Sequence, residues 1–221
     1  MDFHILLSSE EAAGGWNAAS ALRYAALAGL RFVGLVIPCD GTDFSRVAAL
    51  VAGVRRLSLY ANVEARAGVE LKHVPPALIS SAVKEARSAG AELVLVHGET
   101  IVDQVELGTN IAAIEAGADI LAHPGIIDKE VAAFAAERGV ALEFTSCPRH
   151  AMTNAQTASM ALRFGCPLVR GSGADCKEEL TTRTFWPLIV KGADGFGDDS
   201  NNILELLCKS EENLARKLMR V

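Results

Sequence analysis

Seven apolar runs of strand length recur along the chain, near 2–8, 31–37, 62–71, 92–98, 119–123, 141–146 and 167–172, and segments with helical spacing lie between them. Those segments cover 17–28, 76–88, 109 or 110 to 116, 128–138 and 154–164. Several stop at a glycine, as helices do when the following residue must turn left-handed. Pro75-Pro76 opens the second, where a missing N–H costs nothing. Thr109 or Asn110 reads as the cap of the third, and Thr153 with Asn154 as the cap of the last. Alternating strands and helices with short connections require parallel strands joined by right-handed crossovers. Seven such units point to a closed or nearly closed α/β barrel of the TIM-like kind. The tail from Lys177 breaks the pattern. It reads as two helical pieces, near 177–191 and 200–220, around a Gly/Asp loop at 192–199, packed on the barrel as an extension. The whole chain, 1–221, is expected to form a single domain.

Composition narrows the functional classes. Half of the 221 residues are apolar, only 5% are aromatic, and the net charge is −6. An acidic chain with a pI near 5.4 lacks the basic face that a nucleic-acid partner needs. No apolar run approaches membrane-spanning length, and the start, Met1-Asp2-Phe3-His4, has no basic leader region. The five cysteines (Cys39, Cys147, Cys166, Cys176 and Cys208) form no CxxC pair. A reduced, cytoplasmic protein is expected. Cys39, Cys147 and Cys176 fall near strand exits, but cysteine is also a common buried apolar residue, and inert thiols are the expected reading.

The histidines carry the chemistry. Leu93-Val94-Leu95-Val96 runs into His97-Gly98, and Ile120-Leu121-Ala122 runs into His123-Pro124-Gly125. In a β/α barrel, the C-terminal strand ends converge on one mouth. That mouth would collect His4, Glu70, His97 and His123, with Glu143 and His150 on or after the sixth strand and Asp175 after the seventh. Two imidazoles and a carboxylate are a common catalytic zinc set with a fourth position for water, so Glu70, His97 and His123 form the leading triad. His4 stands beside them as a further ligand or proton acceptor. His73 reads as a loop group. Arg149, His150 and Lys177 are the candidates to orient an anionic substrate, with Arg149-His150 in an exposed turn.

These segments resemble the PHP (polymerase and histidinol phosphatase) superfamily, in its compact histidinol-phosphatase-like branch. The resemblance is carried by Asp2-Phe3-His4, Gly68-Val69-Glu70 into His73-Val74-Pro75-Pro76, and Val96-His97-Gly98-Glu99-Thr100. Gly108-Thr109-Asn110, Ala122-His123-Pro124-Gly125, and Leu142-Glu143 with His150, Thr153 and Asn154 add to it. It implies a distorted seven-stranded barrel and phosphoester hydrolysis with up to three metals, zinc, manganese or iron. The chain departs from that pattern at Leu6, Pro38 and Gly173, where the family carries ligands, and only Glu10 or Glu11 replaces a further acidic one. The resemblance therefore implies one divalent metal on Glu70, His97, His123 and His4, or none, and weak or altered phosphoesterase chemistry. The alternative is a non-catalytic descendant that binds a small anionic ligand or a protein partner.

Overall fold

The computed structural model describes residues 1–7, 16–194 and 199–220. Its seven strands are β1 (Asp2–Leu6), β2 (Phe32–Cys39), β3 (Glu64–Leu71), β4 (Leu93–His97), β5 (Ile120–Ala122), β6 (Ala141–Thr145) and β7 (Leu168–Gly171). They hydrogen-bond in sequence order, all in parallel. Beyond β7, Gly173 N donates to His4 O at 2.8 Å and Leu6 N donates to Ala174 O at 2.9 Å, which brings the last strand against the first. The sheet is thus a nearly closed barrel, as the alternation of runs requires.

The crossover helices are α1 (Ala18–Leu27), α2 (Val47–Ala61), α3 (Pro76–Ser88), α4 (Thr109–Glu115), α5 (Lys129–Arg138) and α6 (Asn154–Phe164). Helix α2 is absent from the sequence expectation. Its start carries no side-chain cap at Arg46, and Gly53 interrupts its apolar spacing, so its local signals are weak. In the tail, α7 (Trp186–Asp194) begins about nine residues later than the expected 177, and α8 spans Ser200–Leu218. Residues 195–198 of the expected 192–199 loop lie outside the described residues, as do Glu10 and Glu11.

Strand side chains alternate between the helix-facing side and the barrel interior. The interior positions are apolar where the strands begin: Phe32, Leu93, Ile120, Ala141 and Val169 pack with Phe3 and with Leu214, Ala215 and Leu218 of α8. Helix α8 therefore covers the N-terminal end of the barrel, and Arg66 of β3 fastens it through a 3.0 Å bond from Nε to Leu218 O. Two or four positions further along the same interior faces the side chains change to Glu70, His97 and Glu143. In β1 a register irregularity between Asp2 and Ile5 breaks the alternation, so Phe3 joins the apolar floor while neighbouring His4 turns to the mouth.

Candidate metal centre

The C-terminal mouth holds a continuous network of imidazoles and carboxylates. His4 Nδ1 lies 2.8 Å from Glu143 Oε1, and His4 Nε2 lies 3.5 Å from Glu70 Oε2. His97 Nδ1 lies 2.8 Å from Glu70 Oε1, and His97 Nε2 lies 3.2 Å from Asp103 Oδ2. His123 Nδ1 is 2.9 Å from Glu143 Oε2, an oxygen that also accepts the backbone N–H of His123. His123 stacks on His150 at 3.9 Å between ring centroids. All of these except Asp103 are buried.

Local structure explains the aim of each group. His123 has φ +47°, a left-handed backbone uncommon for a side chain with a Cβ. That turn at the end of β5 swings its ring back over the mouth. Gly171 leaves space for Glu143, because a Cβ there would overlap Glu143 Oε1 and crowd His4 Cβ. Two asparagines hold the strand exits. Asn110 accepts from Glu99 N at 3.0 Å and donates to Pro124 O at 2.9 Å, which ties the β4 and β5 exits together. Asn154 accepts from Thr145 N at 3.1 Å and donates to Thr145 O at 2.7 Å, which fixes the end of β6. These bonds displace the expected caps. Helix α4 is capped by Glu99, whose Oε1 accepts from Gly108 N and Asn110 N, and α6 has no side-chain cap at Thr153. A capping preference is local, and here long-range partners won.

The electrostatics follow from burial. Desolvation opposes the charged form of His4, but Glu143 and Glu70 overcome it and hold His4 well above the usual histidine range. Burial alone would raise Glu70. The pull of His4, with hydrogen bonds from His4 and His97, instead holds it well below the carboxylate range. Glu143 is depressed in the same way: burial works against ionisation, and His123 and His4 outweigh it. His150 is pushed down to about 4, first by burial and then by His123 and His97.

The donor set fits a divalent cation. Three groups place one ligand atom per residue within 4.8 Å of one another: His4–His123–Glu143, Glu70–His97–His123 and His97–Asp103–His150. His4 Nε2, Glu70 Oε2 and His123 Nδ1 are buried without a well-aligned hydrogen bond, although His123 Nδ1 lies 2.9 Å from Glu143 Oε2 and His4 Nε2 3.5 Å from Glu70 Oε2. Buried polar atoms are rarely left so, and a place for a bound cation is one of the few physical reasons for it. Neutral imidazole and carboxylate are the donors that zinc and related ions take.

The expected residues fare differently. Glu70, His97, His123 and His4 are brought together. His150, expected in an exposed turn, is buried under His123 and bonded to Thr100 Oγ1 at 2.8 Å, because the short 3-10 turn Ala151–Thr153 folds that segment inward. Arg149 stays exposed and pairs with Asp103 at 2.9 Å. Lys177 lies over Tyr24 and beside Glu178, and the contacts described for it reach none of the cluster. His73, also left-handed at φ +56°, lies 6.3 Å from His97 between ring centroids and lines a small cavity of about 140 Å³ with it. Pro38 stands in register with Glu70 without a donor, and Leu6 packs on the apolar floor. Asp175 joins only an exposed group with Cys176 and Glu179. Asp103 was missed altogether: it sits in an aperiodic loop, and its place after a histidine-bearing strand was the one available signal. Glu143 was placed at the mouth but not among the ligands.

Comparison with known proteins changes the family reading. No family model matches the chain. An uncharacterized protein of Methanocaldococcus jannaschii is 41% identical over 138 residues, 62% of this chain and 63% of that protein. The chain thus spans less than two thirds of that relative's length. Among solved structures, adenine deaminase from Arthrobacter aurescens superposes on 92% of this chain and 72% of its own, with TM-score 0.53 and 15% identity. The A. niger ochratoxinase matches 89% of this chain and 66% of its own at TM-score 0.53 and 14% identity. An amidohydrolase from an environmental sample of the Sargasso Sea matches 92% and 62% at TM-score 0.54 and 14% identity. At such identities the likeness shows the fold alone, a TIM-like barrel. The PHP assignment is therefore corrected: the structural neighbours are amidohydrolase-fold proteins and not members of that superfamily. The motifs misled because a histidine or glutamate at a strand exit is what any barrel-mouth metal site demands. Among the described residues, no helix is long and apolar enough to cross a membrane.

Proposed function

We propose that this chain is a metal-dependent hydrolase acting on a small substrate at the barrel mouth. The observation that carries the reading is the trio of buried donor atoms without a well-aligned hydrogen bond, His4 Nε2, Glu70 Oε2 and His123 Nδ1, inside a ring of carboxylates and imidazoles. His4, Glu70 and His123 would hold a divalent ion, with Glu143 closing the shell and His97 fixing Glu70 through Nδ1. Such an ion supplies a nucleophilic water at neutral pH and polarises the bond to be cleaved. Glu143 keeps His4 and His123 aimed through its two oxygens. His4, held between two carboxylates with Nδ1 on Glu143, would offer Nε2 to the ion. The buried walls exclude bulk water, and Arg149, 71% exposed at the rim, would meet an anionic group on the substrate.

The amidohydrolase-like fold supports hydrolysis without choosing the bond. Turnover should be measured with zinc or manganese on a panel of cyclic amides, ring amines, peptides and phosphoesters. Metal-dependent hydrolysis of one class, abolished by Glu70→Gln, is expected. A metal-free chain with no turnover on any class would overturn the proposal.

A further inference from the structure

The geometry points to a second cation position at the outer edge of the mouth, formed by His97 Nε2, Asp103 Oδ2 and His150 Nε2. This rests on the reading of the mouth as a metal centre and adds to it a paired-metal architecture that the one-metal expectation does not contain.

Three observations lead there. First, His97 stands between two carboxylates, with Glu70 2.8 Å from Nδ1 and Asp103 3.2 Å from Nε2. A neutral ring has one N–H to give. With that proton on Nδ1 toward Glu70, the carboxylate fixes the tautomer, as carboxylates commonly do for metal-bound histidines. The lone pair on Nε2 then faces Asp103, two acceptors opposed until a cation lies between them. Second, His150 Nε2 lies 3.8 Å from the same Asp103 oxygen, too far for a hydrogen bond. Its Nδ1 is engaged by Thr100 at 2.8 Å, which holds Nε2 toward the shared point. Ligands about 2.0–2.2 Å from one ion lie roughly 3–4 Å apart, which covers both separations. Third, the donors divide into two disjoint triads, His4–His123–Glu143 and His97–Asp103–His150, with Glu70 between them: Oε1 on His97, Oε2 facing His4.

The two positions differ in access. The inner triad is buried throughout, whereas Asp103 is 22% exposed and paired with exposed Arg149. Arg149 bonds Oδ1 of Asp103 at 2.9 Å and leaves Oδ2 for the ion. The outer position thus has three protein ligands and an open side toward solvent, the pattern of a site that receives water or substrate.

The test is metal stoichiometry and cobalt absorbance on untagged protein, titrated with Co²⁺ after chelation. Two equivalents per chain are expected for the wild type. Asp103→Asn/His150→Gln should retain one equivalent, with the visible band halved and the melting temperature of the metal-free form unchanged. His4→Gln/Glu143→Gln should lose the inner equivalent and keep the outer one. A wild type that binds one equivalent, unaffected by Asp103→Asn/His150→Gln, overturns the second position and leaves the hydrolase reading standing. A wild type that binds none overturns both. Two equivalents that survive Asp103→Asn/His150→Gln would also refute the outer position, because the second ion must then lie elsewhere.

Discussion

The two ends of the barrel bury the same kind of group to opposite purposes. At the N-terminal end, Glu92, Asp119 and Glu211 are each met by permanent cations and backbone donors. Glu92 binds Arg55 at 2.6 Å and Ala67 N at 3.1 Å. Asp119 binds Arg87, Val94 N at 2.9 Å and Lys217 at 3.1 Å. Glu211 grips Arg170 through Nε at 2.6 Å and through a second guanidinium nitrogen. Their carboxylate oxygens are satisfied, so nothing there calls for a ligand, and the pairs fasten α2, α3 and α8 to the strands. At the C-terminal end, Glu70 and Glu143 face imidazoles, with Lys72 3.9 Å from Glu70 and the backbone N–H of His123 on Glu143, and buried donor atoms remain without a well-aligned hydrogen bond. A buried carboxylate is therefore no sign of function in itself. What separates a structural pin from a metal ligand is whether its partners already complete it.

That contrast yields predictions in descending size. The largest stability effect is expected at the floor. Glu211→Gln leaves the mostly buried Arg170 guanidinium uncompensated and should cost about 3–4 kcal/mol in denaturant unfolding, with metal content unchanged. Glu143→Gln should do the reverse. Metal affinity falls at least about 100-fold, or about 2.7 kcal/mol, while the metal-free protein loses less stability than it does with Glu211→Gln. Loss of metal from Glu211→Gln, or a large destabilisation by Glu143→Gln, would break the comparison. Asn154→Ala removes both bonds that hold the β6 exit. It should cost about 1–3 kcal/mol and weaken metal binding as well, which marks the mouth scaffold as distinct from its ligands.

The pH response sharpens the same contrast. The raised His4 value means that its contribution to the metal-free protein is fully present below the unfolded histidine value and is lost as pH rises through the folded one. The depressed Glu70 and Glu143 contribute above the unfolded carboxylate value and lose that contribution as pH falls through their folded values. Melting of the metal-free form should therefore fall on the alkaline side. Metal occupancy should rise with pH over the same range, because the ion competes with the proton on His4. The smallest effect belongs to Asp2, whose Oδ2 lacks a partner and whose carboxyl is raised by burial. Asp2→Asn keeps the acceptor for Ser172 N and should stabilise slightly at neutral pH, measured by thermal unfolding.

Much of the fold was legible because periodicity is a local signal. The seven strands and five of the crossover helices follow from alternation and from glycine or proline punctuation. Helix α2 escaped because it lacks a cap and carries a glycine midway. At the site, His4, Glu70, His97 and His123 were legible because strand exits converge by geometry. His150 was placed at the mouth but in an exposed turn, and Asp103 was not placed there, since each reaches the cluster through a loop whose course is set by distant contacts: Thr100 on His150, and Arg149 and His97 on Asp103. The misread caps have the same origin. Asn110 and Asn154 look like helix starts in sequence but spend their amides on neighbouring strand exits. The family motif failed for a related reason, because short strand-end motifs report the demands of a barrel mouth and not ancestry.

The most direct test of this account is metal content per chain for untagged wild type, Glu143→Gln and Glu211→Gln, purified without chelators and measured by elemental analysis. Bound divalent metal in the wild type and in Glu211→Gln, with strong depletion in Glu143→Gln, is the predicted result. A metal-free wild type, or equal metal in all three, would contradict the claim that the unsatisfied end of the barrel is where this protein does its chemistry.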